Sequence, residues 1–225
     1  METSAIWRAI RRPTSAGVAG LVFGVILGVV IVLLRGAAPA LASESGEWVQ
    51  DPDLRRQIQL ALYLIPFAGI AFLWFIAVIR SQLGSREDRF FETVFLGSGL
   101  LFVAMIFTTA AALTAALVLV DAAVSVPAET ASYAWTFAAS LLGSFGARMA
   151  AVFMLSATTM GVRTATVPRW LAVLSYIAAL LLLFAPPFPE WIQFLFPLWV
   201  VVLSIFILTG QHQESVRGED GLLDG

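Results

Sequence analysis

The run TSAGVAGLVFGVILGVVIVLL, residues 14–34, decides the fold, because it extends for 21 residues without a charge. At about 1.5 Å per residue, a helix of that length covers roughly the 30 Å of hydrocarbon in a bilayer. Lipid offers no hydrogen bonds, so a chain placed there must satisfy its own backbone, and a spanning helix is expected. Trp7, Arg8, Arg11 and Arg12 precede the run and Arg35 closes it, which suits the two flanks of a span. Within it Ala16, Gly20, Gly24 and Gly28 recur every fourth residue. Such a small-residue stripe lets two helix backbones approach closely, and here it is expected to serve packing within the chain, with a homodimer as the alternative.

Working outward, similar runs follow at about 57–79, 90–120, 133–160, 166–185 and 191–210. The expected fold is all-α: a polytopic membrane bundle of six transmembrane helices within residues 14–210. Residues 1–13 form a cytoplasmic segment and the polar stretch 211–225 a disordered cytoplasmic tail. The second helix is entered through Asp51-Pro52-Asp53, where an aspartate cap followed by proline starts a helix well. The third run is too long for a perpendicular crossing and is expected to tilt. Pro66 and Pro197 fall inside the second and sixth runs, where a missing N–H usually bends a helix.

Composition agrees with this reading. Sixty per cent of the 225 residues are hydrophobic and 12% are charged, against about 25% charged in soluble domains. A net charge of -2 gives no ground for nucleic-acid binding. Without cysteine there is no disulfide, thiolate nucleophile or thiolate metal site. All 13 basic residues are arginine, a bias that points to a GC-rich bacterial genome and hence to the inner membrane.

Arginine placement sets the expected orientation. With the N-terminus inside, nine arginines (8, 11, 12, 80, 86, 89, 163, 169 and 217) are cytoplasmic and three (35, 55 and 56) are outside, which supports N-in, C-in. The segments 122–132 and 185–190 contain no arginine, as translocated loops should. Ala40-Leu41-Ala42 resembles a signal-peptidase site, but the run before it is longer than a signal core, and retention of the first helix is the favoured reading.

One charge breaks the apolar pattern. Arg148 lies midway along the fourth run, where a guanidinium costs upward of about 2.5 kcal/mol unless it meets acceptors or water. Thr136, Ser140, Ser144 and Arg148 recur every fourth residue and are expected to form a polar stripe facing inward. In the functional reading Arg148 holds a small anionic or amphiphilic ligand, since its planar fork suits carboxylate or phosphate. In the structural reading it is satisfied by backbone carbonyls, by Thr108 or Thr109, or by Glu92. The charged segment 80–89 reads as a cytoplasmic anchor with internal ion pairs rather than a docking patch.

The only histidine, His212, lies in the tail, so an intramembrane histidine base, haem or metal site is not expected, and neither cofactor nor catalytic residue is assigned. Binding or passage of a small anionic or amphiphilic ligand is the expected function. The rivals are an accessory subunit docked on another membrane protein and an interfacial lipid-modifying enzyme drawing on Asp88, Glu92, Asp121 or Glu190.

Overall fold

The computed structural model describes the backbone of residues 13–41, 51–83, 89–121, 128–184 and 190–223. It describes the side chains of residues 15–37, 51–80, 90–119, 130, 132–184 and 192–209. Residues 1–12 of the segment 1–13 expected to be cytoplasmic, the signal-peptidase-like position at Ala42 and the side chains of Asp88, Asp121, Glu190, His212 and Arg217 lie outside these residues.

Six α-helices account for the described chain. They are α1 (Pro13–Leu41), α2 (Pro52–Leu83), α3 (Arg89–Asp121), α4 (Ala128–Ser140 and Ala147–Arg163, joined by a π-helical turn Leu141–Gly146), α5 (Arg169–Phe184) and α6 (Leu195–Leu223). A 3₁₀ turn, Glu190–Phe194, leads into α6. Five helices are long and apolar enough to cross a membrane, which marks a membrane protein. The sixth, α5, has 16 residues, or about 24 Å of helix.

The helices run up and down. Gln57 meets Leu33 and Arg80 meets Glu92 across successive helices, and Gly17 lies at Leu208 but Gly24 at Val201, so α1 runs antiparallel to both α2 and α6 and α2 antiparallel to α3. One end of the bundle therefore carries Arg35, Asp51, Arg55 and Arg56, and the other carries Arg80, Glu92, Arg163 and Arg169. α1 packs along both α2 and α6, α3 lies against α2 and α4, and the second half of α4 packs on α5.

Local chemistry explains the boundaries. Asp51 caps α2 as expected: its Oδ1 accepts from the backbone N–H groups of Asp53 (2.9 Å) and Leu54 (3.2 Å). These are donors that no carbonyl within the helix can reach. α4 ends in a Schellman motif, in which Ala165 N–H meets the Val162 carbonyl and Thr166 N–H meets the Gly161 carbonyl. Ala165 stands at the left-handed position with φ 54°, where glycine is usual. The absence of a side chain on Gly161 lets Val167 close over the end of the helix.

Two expectations about helix ends are revised. Pro197 does not interrupt a span, because α6 proper begins at Leu195 and proline in a first turn removes no hydrogen bond. Nor does the last helix stop at Gly210: its backbone stays helical to Leu223, through the polar segment expected to be disordered.

The centre of the bundle is aromatic. The Phe72 ring centroid lies 4.4 Å from Phe23, 5.0 Å from Phe153 and 5.6 Å from both Phe102 and Phe196. Five helices thus meet on one phenylalanine. Lipid tails are as apolar as these rings, so their contribution is close packing and ring geometry rather than escape from water.

Candidate functional site

The glycine stripe is a packing device inside the chain. Ala16, Gly20 and Gly24 are buried, and a β-carbon on Gly20 would strike Ser204 and Phe75, one on Gly24 Val201 and the Pro197 carbonyl. The face of α1 expected to meet a neighbour therefore meets α6. Gly28 takes no part, since open space surrounds the position of its missing side chain. Gly17, one residue off the stripe, is packed against Leu208 instead.

Arg148 is held locally. Its Nη1 donates to the Ser144 carbonyl at 2.7 Å and to Ser144 Oγ at 2.7 Å. The acceptor is thus a backbone carbonyl and hydroxyl one turn earlier, not Thr108, Thr109 or Glu92. Thr108 is exposed and donates to Ala104 O on its own helix, while Glu92 pairs with Arg80 at 2.6 Å.

The inward stripe does not form. The turn Leu141–Gly146 is π-helical, with Ala147 N–H reaching back five residues to the Leu142 carbonyl. One extra residue in a turn sets everything downstream back by about 100° around the axis, which nearly cancels the drift of a four-residue period, so what differs along the four residues is the packing that covers them. Thr136 and Ser140, upstream of the shift, are exposed on the outer surface, whereas Ser144 and Arg148 are half-buried. Thr136 returns its hydrogen bond to Ser132 O at 2.9 Å.

Thr109 is the residue of the expected set that reaches a cavity. It is 2% exposed, and its hydroxyl has no hydrogen-bond partner. It lines a cavity of about 110 Å³ with Arg35 and Leu34 from α1, Trp135 and Leu142 from α4, and Gln193 from the 3₁₀ turn. Arg35 is the one charged side chain among the described residues of that lining. A second, smaller cleft of about 30 Å³ shares Ile31, Leu142 and Gln193 with it and reaches inward to Phe102 and Phe196. Arg148 lines neither.

The π turn builds this site. Its two glycines, Gly143 and Gly146, are buried, and the position of a Gly143 side chain would lie 3.3 Å from Gln193 Nε2. The helix can widen there and admit the carboxamide because neither glycine brings a side chain. Sequence reading missed Arg35, which looked like the end of a span although α1 continues to Leu41. It also missed Gln193, whose signal was a lone carboxamide among apolar residues at the head of the last run.

Three further charges are engaged at the opposite end of the bundle. Arg163 stacks over the Phe91 ring at 4.4 Å, and Arg80 bridges α2 and α3 through Glu92. The side chains of 81–89, the rest of the expected charged anchor, lie outside the described residues.

Fold and site together define a multi-pass α-helical bundle with a polar cavity between its helices. No family model, curated protein or solved structure matches the chain.

Proposed function

We propose that the protein is a bacterial inner-membrane protein, oriented N-in and C-in, that binds a small anionic amphiphile in the cavity formed by Arg35, Thr109 and Gln193. The observation that carries this reading is the Thr109 hydroxyl, buried without a partner beside a cavity whose described lining includes the Arg35 guanidinium. A buried hydroxyl left unpaired costs about 1–3 kcal/mol, a cost that a bound acceptor removes. Arg35 supplies a planar donor fork for carboxylate or phosphate, and the Gln193 carboxamide donates and accepts beside it. Leu34, Leu113, Trp135 and Leu142 receive the apolar part. In the proposed orientation the cavity belongs to the outer half of the bundle.

The accessory-subunit alternative loses its main sequence signal, since Gly20 and Gly24 are already packed against α6. The interfacial enzyme loses Glu92 to the ion pair with Arg80.

Titration calorimetry of the full chain in nanodiscs with hexanoate tests the proposal. Saturable binding is expected, weakened about tenfold by Thr109→Val or Arg35→Gln, each of which removes roughly 1.4 kcal/mol of interaction. Arg148→Met is expected to leave it unchanged. Absence of saturable binding, or equal binding by Arg35→Gln, would overturn the proposal.

A further inference from the structure

A second cavity, of about 120 Å³, lies at the opposite end of the bundle, between α2, α4, α5 and α6. It is distinct from the Arg35 cavity in position and in chemistry. Ile79, Leu203, Phe206 and Ile207 give it apolar walls, and none of the described residues that line it is charged. Its polar groups are hydroxyls and one indole.

Two of these groups define what the cavity asks of a ligand. Thr158 is 3% exposed, and its hydroxyl has no hydrogen-bond partner. A threonine in a helix commonly turns its hydroxyl back to the carbonyl four residues earlier, as Ser156, Thr159 and Ser175 do in this chain. Thr158 does not. Opposite it, Ser175 Oγ is already committed: it donates to Leu171 O at 2.8 Å and accepts from Trp199 Nε1 at 2.8 Å. Ser175 and Trp199 therefore form a finished polar wall, and Thr158 is the unsatisfied one.

We infer that this cavity is a second ligand site, taking a small uncharged amphiphile whose hydroxyl or carbonyl hydrogen-bonds to Thr158 while its apolar body fills the space beside Trp199. A carboxylate or phosphate is disfavoured, because nothing on the lining offers a countercharge and desolvating an ion there has no compensation. An enclosed cavity of about 150 Å³ accommodates benzene, and this one, at about 120 Å³ but open at one side, takes a single small ring whose far end reaches into the mouth. The mouth lies at the turn after α4, where Thr164 and Thr166 line the cavity and are partly or fully exposed. A ligand can thus arrive from the membrane interface at the Arg80 end, with no need to pass the aromatic centre. The inference does not rest on the Arg35 cavity.

Fluorine NMR of 4-fluorobenzyl alcohol added to the full chain in lipid nanodiscs tests it, with empty nanodiscs giving the partition baseline. Saturable line broadening above that baseline is expected. It should weaken about tenfold in Thr158→Val, which keeps the shape and removes the hydroxyl, and vanish in Ala157→Phe, which fills the space. Charged 4-fluorobenzoate should not compete at this site, and 4-fluorotoluene should bind about tenfold more weakly than the alcohol. Binding indistinguishable from the lipid baseline overturns the inference, and so does an unchanged affinity in Thr158→Val. Since Thr158→Val is nearly isosteric, it carries the test if Ala157→Phe fails to fold. Retained hexanoate binding in Thr158→Val separates this site from the Arg35 cavity.

Discussion

A single alanine shows how closely side-chain size is matched to backbone shape in this bundle. Ala165 holds φ 54° at the close of α4, a conformation that costs a side-chain-bearing residue about 1–2 kcal/mol and glycine almost nothing. Ala165→Gly is therefore expected to raise stability by about 0.5–1 kcal/mol, the remainder being lost to glycine's greater freedom when unfolded. Thermal unfolding in nanodiscs would show it, and a lower midpoint would mean that the alanine methyl makes a contact worth more than the strain. At this scale the sequence was only partly legible. Asp51-Pro52 announced its own cap, because the capping geometry involves four adjacent residues. Thr109 could be named as a polar residue, but whether its hydroxyl is satisfied depends on residues from three other segments. Arg148 attracted attention through its charge, yet the Ser144 carbonyl that holds it is invisible in a sequence, being a backbone atom present at every position.

Among helices, the contact between α1 and α6 depends on the lack of a side chain at three places, Gly17, Gly20 and Gly24. A methyl on Gly24 would press on the Pro197 carbonyl, a backbone atom that cannot rotate away. Gly24→Ala should cost about 1–3 kcal/mol through forced separation of the helices, whereas Gly28→Ala should be neutral or stabilising by up to about 1 kcal/mol because it gains helix propensity in open space. Comparing the two variants by unfolding in nanodiscs decides whether the whole stripe or only its first half is a seam; equal losses would restore the full stripe. All six helices were legible from hydropathy, five of them as runs long enough to cross a bilayer, since such a crossing needs a long apolar run and little else can produce one. The π turn was not. Period-four reasoning can place Thr136, Ser140, Ser144 and Arg148 near one side of a helix but not say what covers it, and here the first two are exposed while the last two are half-buried.

For the molecule as a whole, two cavities of similar size and opposite character lie toward the two ends, with the phenylalanine cluster between them. Phe196 borders the cleft on one side, and Trp199, stacked on it at 6.3 Å, borders the cavity on the other. Which side each cavity serves depends on orientation, and the chain is well suited to that measurement because it has no cysteine of its own. Asp53→Cys should react with a membrane-impermeant maleimide in intact cells, and Arg169→Cys only after lysis. The reverse pattern would invert the proposed topology and turn the Arg35 cavity toward the cytoplasm.

The seam between α1 and α6 also imposes an order in time. Gly24 and Val201 are partners in space, but 177 positions of chain separate them. At roughly 5–20 residues per second, the ribosome needs about 10–35 seconds to make the second after the first. Throughout that interval α1 has α2 beside it while its glycine face waits bare, open to lipid or to any other nascent helix. The seam closes only when α6 is delivered, so the earlier of the two partners must wait for the later one.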